Sequence, residues 1–296
     1  MPDNQPFVPP LIPAEFSADF FTLDGHSVLA LDGPDAVAFA QAQFANDVPA
    51  LAPGHWQWSA WLTPKGRVIA VFALLRTGED ALRLLLPDAD AAELGEALRR
   101  FVFRRKLVIA PRPDLQVAGA FAAPSTARGA RLGGDGADLL ELDYGAPGLP
   151  RTLRLSTGPA RPDPQALQAW TAADLRLGLP RLPASQREQW TPQQLALDRL
   201  AAFSVKKGCY PGQEIVARTH FLGRAKRETL LLEVPEATAA GATVEQSGQA
   251  IGSVVAVAGH APRLALAVLP LERAESPLQV AGVDAPVEPF VEGLAR

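Results

Sequence analysis

The chain has one cysteine in 296 residues, and its setting is Lys206-Lys207-Gly208-Cys209-Tyr210-Pro211-Gly212-Gln213-Glu214. A thiol beside lysines at a helix mouth is drawn toward thiolate, because ammonium charge and helix dipole both favour the anion. The spacing predicts a short helix over residues 211 to about 219. Pro211 suits its first turn, where a missing N–H breaks no internal bond, and Glu214 suits its positive end. Gly208 allows a conformation or a close approach that a Cβ would block. Free cysteines are often small buried apolar groups, but this polar run suits an exposed turn better than a core strand. Cys209 is therefore read as a functional thiol, with Lys207 and Arg218 lowering its pKa while Gly208, Gly212 and Gln213 shape the turn.

Other chemistry is sparse. Lys206, Lys207, Arg218, Arg224, Lys226 and Arg227 crowd around the cysteine, opposed by Glu214 and Glu228. They are either a solvated surface or a positive rim for an acidic tail or partner. A Cys209–His220 nucleophilic pair is conceivable across the helix, but the sequence offers no third, orienting group. His26, His55, His220 and His260 are scattered, and a single cysteine excludes a self-contained Cys-based metal cage, so no metal site is expected. Glycine-rich nucleotide-binding loops are absent. A net charge of −4 and a pI of about 5.6 argue against a general polyanion binder, and no RNA-recognition motif supports a direct tRNA-binding module.

The elements that must position these groups follow from periodicity. Residues 1–15 read as a loose lead-in whose polar, Pro-rich start lacks the features of a signal peptide. No window is long and apolar enough to span a membrane. Ser27–Leu31 reads as a strand, followed by a helix over Ala36–Phe44. Asn46 and Asp47 close that helix as turn residues or as ligand contacts. Strands are expected at Trp56–Trp61, with Trp56 and Trp58 on one face, then at Val68–Arg76 and Leu82–Leu86. Core packing is the plain reading of the tryptophans. An amphipathic helix over Asp88–Phe103 ends in Arg99, Arg100, Arg104, Arg105 and Lys106, a basic cluster read as a solvated helix end in preference to an anion site. Short strands at Leu115–Phe121, Leu139–Tyr144 and Thr152–Leu155 precede a helix from Asp163 to Gly178 that carries Trp170 and Asp174. Short β segments after residue 229 suggest a small antiparallel barrel.

The stretch KKGCYPGQEIVAR resembles the signature of the YgfZ-type folate-binding proteins, relatives of the glycine-cleavage aminomethyltransferase, whose pattern K-G-C-Y-x-G-Q-E is matched here at every fixed position. GPDAVAFAQAQFANDV is similar to that family's N-terminal helix. The resemblance implies an α+β, three-domain, ring-like aminomethyltransferase-type fold with a C-terminal antiparallel β-barrel. Residues 16–110 would form the first part of a folate-binding domain and 111–178 a small α+β domain. Residues 179–228 would return with the signature (Lys207, Gly208, Cys209, Tyr210, Gly212, Gln213, Glu214), and 229–296 would form the barrel.

The same resemblance implies a cytoplasmic accessory protein that binds tetrahydrofolate or a one-carbon derivative. It would serve iron–sulphur clusters in client enzymes or with cluster carriers, and so support tRNA modification indirectly, without direct DNA or membrane binding. Trp170 and His26 would frame the folate, His26 standing at a family tryptophan position, with Asn46 and Asp47 nearby. The catalytic acids of the aminomethyltransferase relatives are replaced here by Ala70 and Val71, so that activity is not expected. The alternative is a folate-dependent one-carbon transferase that uses another acid, Asp47 or Asp174.

Overall fold

A computed structural model describes residues 19–136, 139–221, 223 and 225–296. The expected lead-in over residues 1–15 and Arg224 of the second basic run lie outside these residues. The described chain opens with β1 (Phe21–Thr22) and β2 (Ser27–Asp32), then α1 (Ala36–Gln43), β3 (His55–Leu62), β4 (Val68–Gly78), β5 (Ala81–Leu86), α2 (Ala91–Arg99) and β6 (Val108–Pro111). Strands β2 to β6 form an antiparallel sheet in the order β3-β4-β5-β2-β6.

Alternation along these strands separates two faces. Leu29, Leu31, Phe72, Leu74, Leu82 and Leu84 pack under both helices. Val28, Trp56, Trp58, Ala73, Leu75 and Leu85 face the opposite way, into the main core. Trp61 takes the helix side, as its odd register with Trp56 and Trp58 requires.

The next elements are β7 (Gln116–Ala120), β8 (Leu139–Asp143), β9 (Thr152–Ser156) and α3 (Pro164–Arg176). The order β1-β7-β9-β8 makes a second sheet, so the first strand of the chain edges the sheet built by its middle. A largely irregular return segment leads to α4 (Gln213–Phe221). It threads Leu195, Leu197, Leu200 and Ala202 through the main core. The last quarter forms β10 (Arg227–Val234), β11 (Thr243–Gln246), β12 (Gln249–Ala258), β13 (Arg263–Pro270), β14 (Leu278–Val280), β15 (Val283–Asp284) and β16 (Val287–Glu288). These strands make an antiparallel sheet, β15-β14-β11-β12-β13-β10-β16, curled into a half-barrel, and α3 packs against it through Leu175.

Two helices differ from the sequence expectation. α2 is shorter than 88–103 because the Asp90 carboxylate caps it, accepting from the Ala92 and Glu93 N–H groups at 2.8 Å each. Its far end tightens when the Phe101 N–H donates to the Leu98 carbonyl at 3.0 Å. The signature helix begins at Gln213 rather than Pro211, because Gly212 lies in the left-handed region (φ +81°) and ends the preceding turn. Strands β1, β6, β15 and β16 were not expected; each is short or edges a sheet. Among the described residues no helix is long and apolar enough to cross a membrane.

Candidate functional site

The signature segment is built as an anchor with a projecting tip. Lys207 and Tyr210 are buried, while Gly208 and Cys209 between them are exposed. The Lys207 ammonium donates to the carbonyls of Gln41 (2.7 Å), Phe44 (2.6 Å) and Asn46 (2.9 Å), which satisfies the C-terminal end of α1. It also lies 5.0 Å from the centre of the Tyr210 ring. Burial pulls the Lys207 pKa down to about 8, with the Asp47 carboxylate opposing. Burial likewise pushes the Tyr210 phenol up to about 12. The Gln213 side-chain amide donates to the Lys207 carbonyl at 2.9 Å, closing the turn from its other side.

This geometry corrects the role expected of Lys207 and the place of the permissive glycine. Lys207 spends its charge on α1, not on the thiol, because an ammonium this buried needs several acceptors at once. Cys209 lies outside the helix, four residues before Gln213, so it is not in the first turn of α4. The permissive glycine is Gly212 rather than Gly208. A Cβ on Gly212 would sit 2.6 Å from the Gly66 Cα and 2.7 Å from the Thr63 carbonyl, whereas one on Gly208 would meet nothing within 4 Å. The signature turn is thus pressed onto the β3–β4 turn, and only a glycine fits there.

The structure brings Asn46 and Asp47 to this anchor as well. The Asn46 amide donates to the carbonyls of Trp58 (2.8 Å) and Ala201 (2.7 Å), and its own carbonyl oxygen accepts from the Asp47 N–H at 2.9 Å. The Asp47 carboxylate accepts from the Gln41 amide at 3.1 Å. Their polar groups therefore join α1, β3 and the return segment. Glu214 and Arg218 are exposed on α4, and Lys206 and Lys226 are also in solvent. The Arg227 guanidinium donates to the Ile251 carbonyl, and Glu228 pairs with Arg273 at 2.7 Å. His220 lies in the last turn of α4, about 10 Å along the axis from Gln213, with its ring against Phe221 at 4.8 Å.

A second cluster lies where the sheets meet. The Arg151 guanidinium donates to the Asp174 carboxylate at 2.7 Å, and neither side chain reaches solvent. Arg181 bridges the other Asp174 oxygen (3.1 Å) to Asp88 (2.7 Å), and the Leu182 N–H donates to Asp88 at 3.0 Å. Burial pushes Asp88 up, and the Arg181 charge works against it. Four alternating charges thus tie the edge of β9, α3, the return segment and the entry to α2. Sequence reasoning weighed only Asp174 among them. Arg151, Arg181 and Asp88 carry no local motif, since Arg151 lies 23 residues from Asp174 and Arg181 lies 93 from Asp88; only Arg181 and Asp174, seven apart, are near in sequence.

Trp170 and His26 are close to this network and do not frame an open slot. Trp170 is fully buried, stacked on Tyr144 at 5.6 Å with the Arg151 guanidinium 4.4 Å from its ring centre. Both His26 ring nitrogens are buried with no well-formed hydrogen bond beyond the nearby Leu23 and Asp24 backbone, and Arg151 Nε and Nη2 and Trp170 Nε1 are buried without a hydrogen-bond partner among the described residues. Burial first, then the Arg181 charge, hold the His26 imidazole well below its usual pKa, so it is neutral at pH 7. His26 also borders a cleft of about 480 Å³ between the β1–β2 turn and the start of α2. Ala70 and Val71 are buried in β4, on opposite faces of its sheet. Among the described residues no group of three His, Cys, Asp or Glu side chains could hold a metal ion.

With this geometry in place, the chain can be set beside known proteins. No family model matches it. A Shigella sonnei protein named tRNA-modifying protein YgfZ is 29% identical over 248 residues, covering 77% of this chain and 76% of its own. The protein of the same name from Pectobacterium carotovorum is 28% identical over 257 residues, covering 77% and 76%. The chain is a relative of the YgfZ proteins. Its fold is shared with the glycine cleavage system aminomethyltransferase T from Bartonella henselae, at a TM-score of 0.66 and 17% identity, over 93% of this chain and 85% of that one. The resemblance of the signature to YgfZ is thus matched along most of the chain, and the fold implied by it is the fold observed.

Proposed function

We propose that this chain is a folate-binding accessory protein that supports tRNA modification through the thiol of Cys209. The observation that carries the reading is the exposed Gly208-Cys209 tip held between the buried Lys207 and Tyr210. A thiol so presented can reach iron, sulphur or a sulphur atom of another protein, and catalysis within a closed pocket is not its design. The clients are iron–sulphur enzymes or cluster carriers in the cytoplasm. One cysteine cannot hold a cluster alone, so any contact with a cluster is shared with the partner. Arg218, Lys206 and Lys226 supply positive charge on the exposed side for an acidic partner. The relatives' name, tRNA-modifying protein, supports the link to tRNA.

For the folate, unmet hydrogen bonds matter more than an aromatic slot. Arg151 and Trp170 hold buried donors without partners among the described residues, His26 adds ring nitrogens with no well-formed hydrogen bond beyond the nearby backbone, and these fit the alternating polar edge of a pterin. Trp170 would serve as a hydrogen-bond donor there rather than as an open stacking surface. A reduced folate would supply one-carbon chemistry. Aminomethyl transfer is not assigned to this chain, because Ala70 and Val71 offer neither charge nor a hydrogen bond where the aminomethyltransferases carry acids. Asp174, the alternative acid, is held by two arginines.

The experiment is complementation of a deletion strain, reading modified tRNA nucleosides by mass spectrometry together with iron–sulphur enzyme activity. Wild type restores both and Cys209→Ala restores neither. Equal rescue by Cys209→Ala removes the thiol from the function, and glycine-cleavage turnover by the purified protein contradicts the accessory role.

A further inference from the structure

The loop from α2 to β6 presents a charged and aromatic surface that the thiol does not use. Phe103 is 87% exposed and lies in the left-handed region, at φ +49°. Bulky residues are uncommon in that conformation, and such strain concentrates at functional positions. Arg100, Arg104, Arg105 and Lys106 around it are all in solvent. No acidic residue occurs between Glu96 and Asp114. Arg99 is paired with Glu96 at 2.8 Å, but the side chains of Arg100, Arg104 and Lys106 form no ion pair among the described residues.

The loop is firmly held. The Lys106 N–H donates to the Asp35 carboxylate at 2.6 Å, and the Arg105 N–H donates to the Val102 carbonyl at 3.0 Å. Gly33 lies so near that a Cβ on it would meet the Leu107 Cα at 2.8 Å. Phe101 packs edge-on against Trp61 at 6.3 Å. The backbone is fixed on the sheet and α1 while Phe103 and the cations project. A helix end that only needed solvation would not require an outward phenylalanine.

We propose that this loop docks single-stranded RNA, with Arg100, Arg104 and Lys106 on phosphates and a base stacked on Phe103. Splayed bases stack on exposed aromatic rings, and arginine grips phosphate through two parallel hydrogen bonds. A lipid surface fits less well. Anchoring there needs a sizeable apolar face or a second membrane signal, and Phe103 is the one ring of this loop that stands fully clear. The overall charge of −4 is no obstacle, since the attraction is local. The inference goes beyond the role proposed for Cys209, and its test leaves the thiol untouched.

The test titrates the full chain into a fluorescein-labelled RNA of about a dozen nucleotides, followed by anisotropy over a range of salt. Polyglutamate and phosphatidylserine vesicles serve as parallel probes. Phe103→Ala should weaken RNA binding about ten-fold. The double variant Arg104→Ala, Lys106→Ala should lower the slope of log affinity against log salt by about 1.4, which is about 0.7 for each phosphate that no longer meets a cation. Both variants should keep the wild-type unfolding midpoint. Absence of RNA binding at low salt overturns the proposal, as does wild-type affinity in both variants. Vesicle binding without RNA binding also overturns it, in favour of a membrane. Polyglutamate bound as tightly as RNA, with no loss in Phe103→Ala, reduces the loop to a general cation patch and overturns it too.

Discussion

Lys207 and Cys209 are two residues apart and do opposite things. The lysine turns inward to three carbonyls of α1 and the turn after it, and the cysteine turns outward. Lys207→Met would leave those carbonyls without their charged donor, and should cost about 2 to 4 kcal/mol in urea denaturation. Lys206→Met, at an exposed position, should stay within about 0.5 kcal/mol of wild type. The pH dependence has a definite sign. The folded pKa of about 8 lies below the ordinary 10.5, so between these values the unfolded chain binds more protons and this group makes stability rise with pH. The stability gap between wild type and Lys207→Met should therefore widen across that window; a narrowing gap contradicts the assignment. The motif itself was plain in the sequence. The direction of each side chain was not, because Lys206 and Lys207 are chemically alike and only the position of the α1 carbonyls separates them.

Among the elements, the turn before α4 depends on close contact with the turn between β3 and β4. Gly212→Ala puts a methyl group against the Gly66 and Thr63 backbone at a left-handed φ, and should cost more than about 2 kcal/mol by chemical denaturation. Gly208→Ala should be near neutral, within about 0.5 kcal/mol, because open space surrounds it. Equal costs at the two glycines would place the contact wrongly. Sequence periodicity located β2 to β5 of the first sheet closely and missed its short edge strand β6, since alternation such as Trp56/Trp58 against Trp61 is a local signal. It misplaced the ends of α2 and α4. There the boundary is set by the Asp90 cap and by the positive φ of Gly212, which hydrophobic spacing does not register.

At the scale of the whole molecule, one core is shared by the first two sheets, α3 and the return segment, and Val255 and Val268 of the curled sheet join it. The chain's last residues return to it as well, where the Trp58 indole donates to the Leu294 carbonyl at 2.9 Å. The Arg151–Asp174–Arg181–Asp88 network pins these parts together. Asp174→Ala would strand two buried guanidinium groups and should cost about 3 to 5 kcal/mol, read as a large drop in denaturation midpoint. A change below about 1 kcal/mol would mean that the network is not a structural pin. Little of it was legible beforehand, because each partner sits in an unremarkable local sequence and only the fold makes them neighbours.

All of this architecture ends in a single thiol held out to solvent, and its reactivity in the native protein tests that claim most directly. The measurement is alkylation of the folded chain by iodoacetamide at neutral pH, followed by intact-mass spectrometry alongside circular dichroism. The structure predicts complete modification at Cys209 under native conditions, with the unfolding midpoint unchanged afterward. A thiol that stays unmodified until denaturant unfolds the chain would contradict the account.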